Sequence, residues 1–403
     1  MAIDTLGANA LATDSVTAAK IADDAVVAAD IADGSVTTVK LADNAVTSAK
    51  ALNLGRRNVI INGAMQVAQR ATSVTGLTSS GYTSVDRFRL SLGSAGTWTM
   101  AQVAVTDLPG FRTSLKMDCT SADASLAATD DIAIQQRFEG QNLQHFKKGT
   151  ASATEWALSF YVKGTTTGTY ICELFDNDNS RHVNKSYTIN SANTWEYKTI
   201  IFPADTTGVL NNSNGHNFRG AWYLAAGSIF TSGTLQTTWG SNTAANKAVG
   251  QVNLAANTAN DWQITGVQLE PGSVSTDFEH RSYAEELVSC QRYFETSNPD
   301  ITGNATTDRL AYCNYTVYTA SSGYVDYFYD VQKRAIPTIS HGASIWRIYQ
   351  NGSLIANAIR AGGTDGIGHK NFALTISGPT FTTNSGGMAD YRGHHAVKID
   401  AEL

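Results

Sequence analysis

The residues of this chain that could carry chemistry are a few carboxylates, a short aspartate-rich run, a histidine pair and four cysteines. Glycoside hydrolysis needs two carboxylates held across a cleft. Glu139, Glu155, Glu173 and Asp176 fall in strand or loop contexts, and their spacing pairs no two of them. Neither a Gly-x-Ser-x-Gly elbow nor a His-Glu-x-x-His helix occurs. In the run DNDNS, Asp176, Asp178 and Ser180 place oxygens at alternate positions, as a calcium loop begins. The bidentate Glu that would complete such a loop does not follow at the required spacing, so the run reads as a polar β-turn and no metal or other cofactor is expected. His394 and His395 are adjacent, so a strand would send them to opposite faces and only one could reach a shared metal. Cys119, Cys172, Cys290 and Cys313 lie far apart without a Cys-x-x-Cys pair. That pattern indicates neither a zinc knuckle nor a disulfide framework, and fits folding in a reducing cytoplasm. The missing constellations predict a protein that is not an enzyme.

Composition narrows the classes further. The 403 residues include 29 Lys and Arg against 35 Asp and Glu, a formal net charge of −6. No stretch is basic enough for a nucleic-acid ligand. Only 16% of residues are charged, and 34 are Gly, a balance that suits turn-rich β-structure with a polar, weakly charged surface. The start MAIDTLGANA lacks the basic and apolar regions of a secretory signal, and no run approaches the ~20 apolar residues of a membrane helix. Membrane insertion is therefore not expected, and work outside the cell would require another exit route.

The elements that must position any site begin with a repeat. Residues 11–50 read LATDSVTAAK, IADDAVVAAD, IADGSVTTVK, LADNAVTSAK. Leu11, Ile21, Ile31 and Leu41 alternate with Val16, Val26, Val36 and Val46, one large apolar residue every five positions. On a continuous helix a step of five turns roughly 140°, and on a continuous strand an odd step changes face, so neither form gathers these residues on one side. The chain must break direction within each repeat, most naturally at Asp33-Gly34 and Asp43-Asn44, and Ser35 is placed to cap a single helical turn. One copy would leave its ladder in water. Several copies about a common axis would bury it, which predicts a homotrimeric shaft with those eight residues as its core.

From Asn58 onward the pattern is β. VIIN (59–62), VDRFRLSL (85–92), TWTMAQVAV (97–105), SLKMDCT (114–120) and IAIQQRFEG (132–140) read as strands. So do EWALSFYVKG (155–164), GTYICELFD (168–176), RHVNKSYTI (181–189), TWEYKTIIF (194–202), FRGAWYLAAG (218–227) and NDWQITGVQLE (260–270). QNLQHFKKG (141–149) reads as a short helix. SYAEELVSCQRYFE (282–295) reads as a longer one, with Ser282 and Glu285 forming a capping box and Leu287, Cys290, Gln291 and Phe294 on one stripe. The expected fold is mainly β: a ten-residue docking peptide (1–10), a repeat shaft (11–54), a jelly-roll β-sandwich (55–281), one linking helix (282–296) and a small C-terminal β tip (297–403).

Several long runs carry a resemblance. NVIINGAMQVAQRATS with YTSVDRFRL, FEGQNLQHFKKGTAS, LSFYVKGTTTGTY, SYTINSANTWEYKTIIFPADTTG and WQITGVQLEPGSVSTDFEHRSYAEELVSCQRYFE resemble the jelly-roll domain of bacteriophage tail-fibre and tail-spike-like proteins. RAIPTIS and the closing DAEL resemble the tip domain that often follows, and the repeats resemble fibre shafts. The resemblance implies a trimeric structural protein of the virion, folded in the host cytoplasm and free of cofactors. Its N-terminus would dock on a tail or capsid protein, and its jelly roll, similar to carbohydrate-binding modules, would bind host surface polysaccharide for adsorption. The other expectations are an architectural decoration fibre without its own receptor, and a polysaccharide depolymerase. Saccharide binding needs flat aromatic faces flanked by polar groups. Trp222, Tyr223 and Trp239 in the jelly roll are candidates, as are Tyr324, Tyr327, Tyr329 and Trp346 in the tip, whereas Trp262 alternates with Ile264 and reads as core. Alternation in YVDYFYD sends Tyr327 and Tyr329 to one face, which makes them the preferred exposed pair.

Overall fold

The computed structural model describes residues 56–296, 327–340, 368–371 and 398–403 in full. It gives only the backbone of the other strands between 312 and 392, and single positions between 21 and 41. The chain divides into two compact units, Met1–Gly55 and Arg56–Leu403.

In the first unit the sequence repeat becomes a repeat of conformation. The amide of Asp30 donates to the Val27 carbonyl at 2.9 Å, and ten residues on Lys40 donates to Thr37 at 2.9 Å. Both the amide and the hydroxyl of Ser35 turn back to the Ala32 carbonyl, so Ser35 closes a turn with Ala32. Ile21, Val26, Ile31, Val36 and Leu41 are 42–56% exposed in the single chain. Leu11, Val16 and Val46 lie outside the described residues, as do Asp33, Gly34, Asp43 and Asn44.

The second unit is mainly β. Its first strands are β1 (Ser73–Leu77), β2 (Gly81–Tyr82), β3 (Arg89–Gly93), β4 (Thr97–Ala104), β5 (Thr113–Ser121) and β6 (Asp131–Glu139). After β6 come β7 (Trp156–Gly164), β8 (Gly168–Asp176), β9 (Arg181–Ile189), β10 (Glu196–Phe202) and β11 (His216–Ala226). A short helix α1 (Ser228–Thr231), β12 (Gly240–Ser241) and β13 (Asp261–Pro271) complete the sandwich. One sheet runs β1-β4-β5-β13-β7-β10 and the other β12-β9-β8-β11-β6-β3-β2, so the chain crosses repeatedly between two antiparallel layers. Alternation fills the space between them: Ile132, Ile134 and Phe138, then Tyr170, Cys172 and Leu174, then Phe218, Trp222 and Leu224 all point inward. Trp156 is stacked between Phe146 at 3.7 Å and Phe218 at 4.8 Å. In β13, a bulge between Thr265 and Gln268 puts Gly266 at φ 62°, where an added Cβ would stand 2.7 Å from the Phe111 ring.

Below the sandwich, α2 (Tyr283–Gln291) begins with the expected capping box, the Ser282 hydroxyl and the Glu285 carboxylate each engaging the other's backbone N–H. It is followed by β14 (Phe294–Thr296). Next come β15 (Tyr312–Thr319), β16 (Ser322–Phe328), β17 (Thr338–Ser340), β18 (Ile345–Gln350), β19 (Ser353–Asp365), β20 (Asn371–Ser377), β21 (Gly386–Arg392) and β22 (Lys398–Asp400). Strands β15-β16-β20-β19-β18-β21 close into a barrel, while β14, β22 and β17 form a separate small sheet.

Four local expectations need correcting. VIIN is not a strand, because side chains take its backbone groups: Gln136 exchanges two hydrogen bonds with Ile61, Asn58 accepts from Ile60, and Glu286 accepts from Asn62. Residues 141–149 form two short 3-10 turns rather than one helix. The helix from 282 stops at Gln291 because Arg292 and Tyr293 are drawn to Glu139, leaving Phe294 in a strand. Residues 398–403 leave the barrel and pack against the sandwich. Arg87 is fully buried there, paired with Glu402, lying 3.5 Å over the Tyr293 ring and donating to the Arg137 carbonyl at 2.7 Å. Arg70 pairs with Asp400 at 3.1 Å and Glu402 at 3.4 Å, over the Phe294 ring at 3.6 Å.

The two acidic residues of that segment should therefore differ in weight. Glu402→Ala leaves Arg87 buried without its carboxylate, a loss of about 3–5 kcal/mol. Asp400→Ala removes a pair whose acidic partner is 43% exposed, a loss of about 0–1 kcal/mol. Denaturant titration of the two variants should separate them clearly; equal effects would contradict this account of the docked segment.

Candidate functional site

The expected aromatic platform is mostly not on the surface. Trp222 lies in the sandwich core with its ring edge-on to Phe160, and Tyr223 is buried on the other side of the same sheet under the 228–248 segment. Neither can stack on a ligand, which corrects both assignments: β11 is a central strand, covered on both faces along this stretch. Trp262 is core, as its pattern implied. Trp239 is half-buried, its Nε1 donating to the Pro203 carbonyl at 2.8 Å, with the Lys148 ammonium 4.9 Å over its ring. Tyr329 is buried beside Lys333, and Tyr327 is half-buried. Alternation was correctly read, but the face was inverted: Phe328 is the ring that reaches solvent, at 70% exposure. The side chains of Tyr324 and Trp346, and the pair His394-His395, lie outside the described residues.

Of the carboxylates considered for catalysis or metal binding, Glu139, Glu173 and Asp176 are engaged by cations. Asp176, in the β8–β9 hairpin, is fully buried against Lys148 and also accepts from Asn179 at 2.9 and 3.0 Å. Asp178 accepts from the Asn217 amide and the Asn211 backbone, and Ser180 sits at φ 49°, so the run is the polar turn its spacing suggested. Glu139 takes a two-pronged bond from Arg292 at 2.9 and 2.8 Å and the Tyr293 hydroxyl at 2.6 Å. Among the described residues no three His, Cys, Asp or Glu come together as metal ligands. Cys119, Cys172 and Cys290 are free and buried.

Polar groups do converge in two places. The first is a cleft of about 400 Å³ beneath the 211–215 loop, lined by Gln141, Asn212, Asn214, Arg292, Gln332 and Arg334. Arg334 braces it by donating to the Asn214, Ala401 and Glu402 carbonyls at 2.6–2.8 Å. Carboxamides flanking guanidinium groups match the polar edges of a sugar ring. The second is the outer face of the seven-stranded sheet. There Arg89 on β3 stands opposite Gln135 on β6, and Arg137 on β6 stands opposite Arg219 on β11. At one side of this face Glu173 is fully buried. Burial alone would raise its pKa, but Arg219, His182 and Lys247 hold it down to about 2. At the other side His216 is pushed down to about 3 by burial and by Arg137, Arg219, Arg89 and Arg334. Sequence reading missed this face because its cations come from three strands far apart in the chain.

No family model and no curated protein matches this chain. Among solved structures, the enzymatically active domain of tailspike protein 4 from bacteriophage CBA120 is 12% identical with a TM-score of 0.26, over 53% of this chain and 21% of that one. The family 11 carbohydrate-binding module of a Clostridium thermocellum cellulase is 12% identical with a TM-score of 0.26, over 52% and 99%. A cyclase from Fischerella sp. is 10% identical with a TM-score of 0.28, over 54% and 97%. The chain thus spans about a fifth of the tailspike domain, and likenesses this distant carry no argument about ligand or activity.

Acid should expose the role of Glu173. A carboxylate held at about 2 against an ordinary value near 4.5 contributes stability that is complete above pH 4.5 and lost as pH falls toward 2. Glu173→Gln should lower the thermal midpoint at pH 7 and flatten its decline below pH 4.5. Parallel acid profiles for the variant and the parent would contradict the assignment.

Proposed function

We propose that this chain is the subunit of a homotrimeric virion fibre that binds host surface polysaccharide without cleaving it. The exposed ladder carries the reading: five large aliphatic side chains, one every five residues, stand in water in the single chain. Isolated apolar side chains on a surface are ordinary, but a regular row of them along a repeat is what partner copies would cover. The runs that resemble phage fibre proteins agree with this. So does a chain whose bulk is β-sandwich and barrel, with an amide- and guanidinium-lined cleft. The shaft is residues 11–54, the ten residues before it dock on a tail or capsid protein, and the outer β-domains meet the host. Trimeric display makes weak single sites sufficient, because three sites bound together gain from effective concentration.

A second reading, an architectural fibre with no receptor of its own, is favoured by the burial of Trp222, Tyr223 and Tyr329. One experiment separates the two. Purified full-length protein is offered to host cell-surface polysaccharide, and it is also used to compete with particle adsorption. Saturable binding, blocked adsorption and unchanged polymer length are expected. Absence of binding with normal adsorption of fibre-less particles would favour the architectural reading, and shortened polymer would establish a depolymerase.

A further inference from the structure

The cleft beneath the 211–215 loop is held in shape by bonds that do not use its whole polar lining. The Asn211 amide donates to Asp178 at 2.8 Å, the Ser213 hydroxyl to Asn217 at 3.0 Å, and the Gln141 amide to the Ser213 carbonyl at 3.0 Å. The Arg334 amide donates to the Arg292 carbonyl at 3.1 Å, so the two arginines of the cleft are neighbours. Their charges are compensated differently. Arg292 gives Nε and Nη2 to Glu139, which raises its pKa. Arg334 gives Nε, Nη1 and Nη2 each to a main-chain carbonyl, and it has no ion pair among the described residues. Burial lowers its pKa, although the charges of Glu139 and Glu402 oppose this. Glu402 is itself paired with Arg87 and Arg70, and the Lys333 ammonium is buried against Glu295. Among the described residues, no carboxylate lines the cleft. Asn212 and Gln332 are exposed, and their carboxamides make no hydrogen bond among the described residues. His369 Nδ1 lies 3.2 Å from the Lys333 carbonyl. A carbonyl only accepts, so Nδ1 carries the proton and Nε2 is left for a ligand.

We propose that this cleft binds an acidic saccharide, its carboxylate or phosphate group meeting the unused N–H groups of Arg334 and Arg292, and its hydroxyls meeting Asn212 and Gln332. The proposal rests on the saccharide-binding reading above and adds the ligand's charge and its contacts. Each Nη of a guanidinium carries two hydrogens, so Arg334 keeps one on each Nη after its carbonyl bonds, and Arg292 keeps both on Nη1. These are planar donors suited to an oxyanion, and partial burial strengthens the attraction relative to water. A neutral sugar would leave the Arg334 charge uncompensated. Free carboxamides supply both donors and acceptors for hydroxyls. A volume of about 400 Å³ is that of a small-ligand site. One uncompensated cation on a chain of net charge −6 suits a single anionic group, not the long phosphate track of a nucleic acid.

The test uses full-length protein on an array of carboxylated, phosphodiester-containing and neutral polysaccharides, with inorganic phosphate as competitor. The expected result is preferential retention of acidic polymers, weakened by added salt. Arg334 is a poor residue to change, because its loss would also free the Ala401 and Glu402 carbonyls. Gln332→Glu and Asn212→Asp instead put a negative charge into the cleft at exposed positions that make no internal bond. Each should weaken binding of acidic polymers about tenfold and leave the melting temperature unchanged, whereas Gln332→Lys should strengthen binding. Binding that does not favour acidic over neutral polymers, or acidic binding indifferent to these substitutions, would overturn this inference and leave the saccharide reading standing. Equally tight binding of inorganic phosphate alone would overturn the assignment to a saccharide. Binding to none of the polymers would overturn both.

Discussion

The larger unit depends on one buried guanidinium. Arg87 lies at the entry to β3, at φ 70°, and joins chain segments that are far apart in sequence: Glu402 on one side, the Tyr293 ring on another, the Arg137 carbonyl on a third. Each partner is itself tied. Tyr293 reaches Glu139, Glu139 takes Arg292, and Glu402 also takes Arg70. Removing Arg87 or Glu402 strands a buried charge, so the network is worth more than a count of its pairs. It holds α2, β14 and β22 against the sandwich and so fixes both Arg292 and Arg334, two of the cations that line the cleft.

The first unit obeys the opposite constraint. It has no buried network among its described residues; it has short-range hydrogen bonds, two of them ten residues apart, and a row of exposed aliphatic side chains. On the reading proposed above, partner copies would cover that row, whereas the second unit supplies its own core.

Legibility in the sequence followed the range of the interactions. Strands β8 and β9 coincide with the runs 168–176 and 181–189, and β7, β10 and β13 start or end within two residues of expectation, because alternation and turn residues are local signals. The capping box at Ser282 and Glu285 is local as well. What could not be read was set by distant partners. The Gln136 carboxamide displaced a ladder at 59–62 from 75 residues away. Trp222 and Tyr223 look like surface aromatics until the 228–248 segment and the second sheet are placed over them. The arginine face exists only once β3, β6 and β11 are side by side, and no spacing within one strand announces it.

The proposed trimer rests on a repeat whose apolar row one copy leaves in water. The mass of the particle in solution tests it most directly. Light scattering on the full-length chain should give three times the mass of one polypeptide, and deletion of residues 11–50 should lower that state without unfolding the sandwich. A full-length chain that runs as a single, stable copy would contradict it.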